Sequence, residues 1–397
     1  MRQRIIFHID VNSAYLSWES VFQLEKDPSA IDLRTIPSAV GGNQAKRHGI
    51  ILAKSEQAKK YGVRTGEPIV DALKKCPNLT IVPPHHNLYE QCSRNFIKIL
   101  REYTPVIEKF SVDEAFCDMT ESMVPDQDPF LLACEIKDRI YRELAFTVNI
   151  GVAPNKLLAK MASDFQKPNR VHTLFHEEIP TKLWPLPVRD LYFVGDATEK
   201  KLQNLGIRTI GELAHTDVRI IKSHFKKHGE LIHSYANGID DSPVCHETHQ
   251  YKGYGNSTTI SFDVEDAPTA KLIIRSLCET VASRLRKDHK SAGVIVIEIK
   301  NQDFVTCSHQ RTLLSPTNAT DQIYEAASTL FDEIWDGSPI RLLGVRSTKL
   351  TEENNRQLNL FDYEKYEKLN KLDSAIDTIR NKYGDQAIMR ASFLEEE

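Results

Sequence analysis

Apolar positions along this chain switch between a period of two and a period near 3.6, and the switches mark out its elements. Residues 4–10, RIIFHID, have the β-branched and aromatic composition of a buried strand, and they end in a carboxylate. Residues 11–25 take helical spacing, with Asn12 or Ser13 placed to cap. Residues 36–76 read as a hairpin (AVGG, then HGIILAKS) followed by a short helix ending near Gly62. Residues 88–103 form an amphipathic helix, and IEKFSVDEAFCDMT reads as two short strands joined by a tight turn. A helix over 129–144, a strand at FTVNIGVA and a helix over 155–165, stopped by Lys167-Pro168, complete the first half. This order predicts an α+β layer of ferredoxin-like type.

The character changes at Pro180, Pro185 and Pro187, beyond which short helices alternate with glycine turns. A polar stretch, GIDDSPVCHETHQYKGYGNS, then leads into a second α/β unit over 258–350. Its expected parts are helices at 269–286 and 322–335 and a strand at GVIVIEIK, in a small open sheet. The charged end of the chain is helical over 365–383.

With 397 residues and 41% hydrophobic content, two to four domains can each bury a core. The seven cysteines include no CxxC pair, which suits reduced thiols and not a disulfide or zinc framework. No run approaches the roughly 20 apolar residues of a membrane span, and MRQRIIFHID is too short and too charged for a signal peptide. A cytoplasmic chain without membrane contact is expected. All of the net charge of −4 comes from residues 351–397, so the rest is balanced and charge neither supports nor excludes a nucleic-acid partner.

Four stretches carry candidate chemistry. Asp113 and Glu114 are adjacent carboxylates inside an apolar run, and Asp10 ends the first strand. Oxygen-only donors of this kind suit Mg²⁺ or Mn²⁺ and phosphoryl transfer, although a solvated turn with two acids explains the pair at least as well. Lys156, Lys160 and Lys167 could reach phosphates from one helix and its exit, or be solvated lysines. The hairpin GDATEKKLQNLGIRTIGEL could offer backbone N–H groups to a DNA phosphate, or be an ordinary helical hairpin. QLNLFD at 357–362 sets apolar residues in an acidic tail, which suits docking in a partner's groove better than folding back.

Taken in order, HIDVNSAYLSWE, AVGG, AKKYGVRTGEPI, YTPVIEKFSVDEAFCDMT, NIGVAPNKLLAKMASDFQKPN and the Leu205-Gly206-Ile207 turn resemble the Y-family translesion DNA polymerases, DinB (DNA polymerase IV) branch, with some UmuC-like wording. The resemblance covers residues 4–350. It implies a right-hand polymerase with a palm at 1–41 and 76–165 and fingers at 42–75. A thumb with a helix-hairpin-helix follows at 166–238, then a linker at 239–252, a little finger at 253–350 and a tail at 351–397.

The resemblance also implies roles for individual residues. Asp10, Asp113 and Glu114 become the catalytic carboxylates, holding two Mg²⁺ ions (Mn²⁺ as an alternative) with the Val11 carbonyl as a further ligand. Tyr15 becomes the steric gate beneath the sugar, and Lys167 touches the triphosphate. Where the family often places a Tyr and an Arg toward the triphosphate, this chain has Glu56 and Lys59, leaving Lys59, Lys54 or Arg47 to meet phosphate. The hairpin has Gly195 but Phe193 where a second glycine is usual; Gly195, Lys200 and Gly206 become the DNA contacts. Gln357, Leu358, Leu360 and Phe361 resemble a bacterial sliding-clamp peptide.

The expected function is template-directed addition of dNTPs to a primer 3′-OH by a monomer tethered to the clamp, with low fidelity and no proofreading. The rivals are a non-catalytic DNA- and clamp-binding accessory protein that kept the fold and, more distantly, a palm-type nucleotidyl cyclase.

Overall fold

A computed structural model of the chain describes residues 4–42, 49–245, 251–352, 363–384 and 386–393. The chain divides into two compact units, Met1–Gly42 with Ile50–Thr248, and His249–Glu397.

The first unit opens with β1 (Ile6–Val11) and α1 (Ala14–Lys26). A small sheet of β2 (Ser38–Gly41), β3 (Ile51–Lys54) and β4 (Thr80–Val82) follows in the order β3-β2-β4, with α2 (Glu56–Lys60) and α3 (Ile69–Lys75) between β3 and β4. After α4 (His86–Arg101) come β5 (Ile107–Lys109), β6 (Glu114–Asp118), α5 (Pro129–Leu144), β7 (Val148–Ala153), α6 (Lys156–Asp164) and β8 (Val171–Thr173). The main sheet runs β5-β6-β1-β7-β8, antiparallel except for β7–β8. This is the ferredoxin-like layer that the element order predicts, extended by one edge strand.

Strand β1 is buried along its whole length because both faces of the sheet are covered. Its period of two sends Phe7, Ile9 and Val11 into a core with Trp18, Phe96 and Ile136, while Ile6 packs with Phe116, Leu157 and Leu158 on the opposite side. Each such side chain contributes roughly 1.5–3 kcal/mol on burial. At Gly151 in β7 an added Cβ would lie 1.9 Å from the Ala159 carbonyl oxygen and 2.6 Å from the Ser163 nitrogen, so α6 rests directly on the strand backbone.

Neither residue expected to cap α1 does so with its side chain. Ser13 occupies the N-cap position at φ 46° without a cap bond, and Asn12 spends its amide elsewhere, as described below. Four further helices, α7 (Asp196–Asn204), α8 (Ile210–His215), α9 (Val218–Phe225) and α10 (Lys227–Ala236), bury Leu202, Ile210, Ile221 and Ile232 in the core shared with α6.

The second unit holds β9 (Gly253–Val264), α11 (Ala267–Lys287), β10 (Lys290–Asn301), β11 (Thr306–Thr317), α12 (Thr320–Ile334) and β12 (Ile340–Glu352). Its antiparallel sheet runs β11-β10-β12-β9, and Ile274, Leu277, Ile323 and Leu330 of the helices pack on Ile295, Ile297 and Val345. The expected C-terminal helix is present as α13 (Tyr363–Tyr383). Among the described residues no helix is long and apolar enough to cross a membrane.

Candidate active site

In the antiparallel pairing of β1 with β6, Asp10 lies directly opposite Glu114. The strand period then places His8, Asp10, Glu114 and Phe116 on the α6 side of the sheet. Asp113 sits in the turn just before β6, where its carbonyl accepts the Val11 N–H at 3.1 Å. Ser111 tightens that turn: its Oγ donates to Asp113 Oδ1 at 2.5 Å and accepts the Glu114 N–H at 3.0 Å. One strand end and one turn therefore gather three carboxylates. Like charges facing each other across a sheet repel, so this arrangement requires cations.

The cations come from α6 and the turn after it. Lys160 Nζ lies 2.9 Å from Glu114 Oε2, and the Lys167 ammonium bonds Asp10 Oδ2 while lying 2.8 Å from Asp164. Lys156 turns to Glu108, 2.8 Å from both carboxylate oxygens. All three lysines that the sequence left free for phosphate are thus engaged with carboxylates, because the buried acids beneath the helix need them.

Burial pushes the Asp10 carboxyl up to about 6, against the pull of Lys167. Burial would raise Glu114 too, but His8 and Lys160 outweigh it and hold that carboxyl at about 2. Burial lowers the pKa of His8, which keeps the ring neutral; its Nδ1 lies 2.8 Å from Ser163 Oγ. Its Nε2 faces Glu114 Oε2 at 3.7 Å and adds to the pull on that carboxyl.

Two asparagines hold the turn that delivers Lys167. Asn12 Oδ1 accepts the Asn169 N–H at 2.9 Å, and its Nδ2 donates to Asn149 Oδ1 at 3.1 Å. Asn149 in turn donates to the Ser163 and Gln166 carbonyls at 3.0 and 2.7 Å. Neither Asn12 nor Asn149 stood out as a site residue in the sequence, nor did His8. For His8 and Asn149 the available signal was a polar residue inside a fully buried strand, which has to be paired.

A cleft of about 390 Å³ opens over these groups, lined by Asp10, Val11, Tyr15, Asp113, Glu114 and Lys167 together with Lys54, Glu56 and Lys59. Lys54 donates to Thr65 Oγ1 at 3.3 Å, and burial and the neighbouring Lys59 lower its pKa. Lys59 pairs with Glu56 at 3.6 Å, so the two residues that depart from the expected Tyr and Arg face each other at the cleft wall. Arg47 and the peptide residues Gln357, Leu358, Leu360 and Phe361 lie outside the described residues.

Gly195, Lys200 and Gly206 do not line this cleft. Gly195 precedes α7 without a side-chain cap, Lys200 is exposed on α7, and Gly206 at φ 82° makes the turn toward α8. Phe193 adopts φ 72° with its ring half exposed.

Among the described residues no three acidic, histidine or cysteine side chains close on one point as a metal cage. The donors at the cleft are nevertheless all oxygen, and two ammonium groups already sit on two of them. This chemistry fits a hard divalent cation such as Mg²⁺ or Mn²⁺, which needs few protein oxygens.

Family models match most of the chain: the impB/mucB/samB family over residues 9–164, the IMS family HHH motif over 176–207, and the impB/mucB/samB family C-terminal domain over 251–360. DNA polymerase IV of Clostridium acetobutylicum is 45% identical over 395 residues, covering 99% of each chain. DNA polymerase IV 1 of Bacillus subtilis is 38% identical over 100% of this chain and 94% of its own. A solved Y-family DNA polymerase chimera, Dbh-Dpo4(243-245)-Dbh, shares the fold with a TM-score of 0.76 at 23% identity, over 88% of this chain and 99% of that one. On these matches the chain belongs to the impB/mucB/samB family, the Y-family DNA polymerases of the DNA polymerase IV type.

Proposed function

We propose that this DNA-directed DNA polymerase performs translesion synthesis at the Asp10–Asp113–Glu114 cleft, adding a dNTP to a primer 3′-OH with loss of pyrophosphate. The observation that carries this reading is the register placing Asp10 opposite Glu114, with Asp113 joined to the same strand end by the Val11 N–H. Divalent cations held there, with Mg²⁺ as the physiological choice, would lower the pKa of the primer hydroxyl and neutralise the departing pyrophosphate. Asp10, Asp113, Glu114 and the Val11 carbonyl would hold them.

The protein's own groups do the rest. Lys167 leaves Asp10 for the triphosphate, and the Asn12–Asn149 clasp keeps it in reach. Lys54 and Lys59 line the same cleft and meet the same charge. Tyr15 lies under the sugar and excludes a 2′-hydroxyl. Residues 1–41 and 76–165 are the palm, 42–75 the fingers and 166–238 the thumb, whose Gly195, Lys200 and Gly206 touch DNA phosphates. Residues 253–350 are the little finger, joined through a linker at 239–252, and QLNLF in the tail tethers a monomeric polymerase to a sliding clamp. The polymerase does not proofread, so fidelity rests on the cleft, and it works in the cytoplasm.

Primer extension on an undamaged template with Mg²⁺ and four dNTPs tests the reading. Wild type extends and Asp113→Ala or Glu114→Ala does not, while both variants bind primer-template nearly as tightly. Normal synthesis by either variant would sink the assignment.

A further inference from the structure

Tyr15 is backed by an aromatic ring that the proposed reaction does not use. The Tyr89 ring from α4 lies 4.4 Å from it, centroid to centroid, with 11° between the planes, a stacked pair. Trp18 closes the same cluster at 6.0 Å from Tyr15 and 5.8 Å from Tyr89. Tyr89 is itself fixed, since its hydroxyl donates to Glu19 Oε1 at 2.5 Å. Glu19 is 1% exposed; it also accepts the His85 N–H at 3.2 Å and lies 2.9 Å from His85 Nδ1.

A carboxylate buried between α1 and α4 is costly, and an apolar pair could join two helices without it. What the carboxylate adds is position, because the bond holds the hydroxyl end of the Tyr89 ring in one place. Tyr15 then has one face stacked against a ring whose far end is anchored, and it lines the cleft. Steric exclusion depends on that stiffness, since a ring free to change rotamer would yield to an extra hydroxyl.

From this we infer that Tyr89, pinned by Glu19, is a positioning residue that sets how strongly the cleft prefers deoxyribonucleoside over ribonucleoside triphosphates. The inference rests on the reading of Tyr15 as the residue beneath the sugar.

The test is the ratio of kcat/KM for a dNTP to that for the matching rNTP, in single-nucleotide extension by wild type, Tyr15→Ala, Tyr89→Leu, Tyr89→Phe and Tyr15→Ala/Tyr89→Leu. Tyr89→Leu lowers the ratio by about threefold to tenfold, the reach of one aromatic pair, and Tyr89→Phe, which keeps the stacked ring but loses the bond to Glu19, recovers only part of it. The double variant matches Tyr15→Ala, because the backing ring acts only through the gate. A wild-type ratio for Tyr89→Leu would overturn the inference even if thermal stability fell, as would a double variant well below Tyr15→Ala. If Tyr15→Ala itself discriminates like wild type, the gate reading fails first and takes the inference with it.

Discussion

The Lys160 ammonium lies 2.9 Å from Glu114 Oε2, beneath a helix whose backbone touches the central sheet at Gly151. Neither side chain is as much as a quarter exposed, so this is no surface pair to be screened away. Removing the lysine leaves Glu114 partly buried, opposite Asp10, without its cation. Lys160→Met is expected to lower stability by about 1–3 kcal/mol at pH 7 without divalent metal. Saturating Mg²⁺ should then raise the melting temperature of the variant more than that of wild type. Equal Mg²⁺ increments in differential scanning fluorimetry would mean that the lysine does not stand in for a metal charge.

Gly151→Ala tests how directly α6 is seated. The added methyl would lie 1.9 Å from a backbone oxygen, so the helix has to move and Lys160 and Lys167 move with it. We expect a loss of about 3 kcal/mol or more, at or above the upper end for overpacking, together with loss of extension. Chemical denaturation midpoints measure the first and a primer gel the second; a variant as stable as wild type would mean that the sheet and α6 separate easily.

The fold was largely legible because its elements obey their periods. Strand β1 differs from the expected 4–10 only at its ends, and the two helices of the second unit fall within two residues of the expected bounds. Asp10, Asp113 and Glu114 were found because charge inside an apolar run demands an explanation. The lysine roles were not legible, because sequence gives the helix face of Lys156 and Lys160 but not the depth of Glu108 and Glu114 beneath it. The Asn12–Asn149 clasp joins residues 137 apart, and no local pattern reports such a pairing. Tyr89 stayed hidden for a related reason, since a tyrosine on an amphipathic helix reads as ordinary core.

Asp10 makes stability depend on pH in a stated direction. Its carboxyl is raised to about 6 in the folded protein, against about 3.9 unfolded. The folded state therefore holds its proton more tightly, and the stabilisation present below pH 4 is lost as pH rises through 6. Without divalent metal, the stability of wild type relative to Asp10→Asn should fall by about 3 kcal/mol between pH 4 and pH 8. Urea titrations of both proteins in EDTA across that range measure it, and a pH-independent difference would contradict the burial argument.

Phe193 stands at φ 72°, where a side chain costs about 1–2 kcal/mol and glycine costs nothing. Its ring meets Tyr192 at 4.5 Å, so replacing it changes contacts as well as strain. Comparing two small residues cancels the contacts. Phe193→Gly should exceed Phe193→Ala in stability by about 1 kcal/mol. Equal denaturation midpoints would mean that the turn relaxes to another conformation once the ring is gone.

The C-terminal helix α13 has a structural role that the sequence left unassigned. Asp373, 4% exposed, accepts the Thr320 N–H at 2.8 Å at the start of α12 and lies 3.1 Å from Arg286 of α11. Asp377 meets the same arginine at 2.7 Å, while Arg380 and Arg390 take Glu279 at 2.9 and 2.7 Å. The acidic residues that make the tail look solvated are thus spent partly on buried arginine, which binds them through its planar fork. Asp373→Ala strands both the Thr320 N–H and part of the Arg286 charge, an expected loss of about 3 kcal/mol. Removing residues 363–397 should cost at least as much by exposing Arg286 and Glu279 together. Hydrogen exchange on Asp373→Ala and on the truncated protein measures both losses, as faster exchange in α11 and α12 than in wild type; unchanged protection there would reduce α13 to an ornament on an already stable unit.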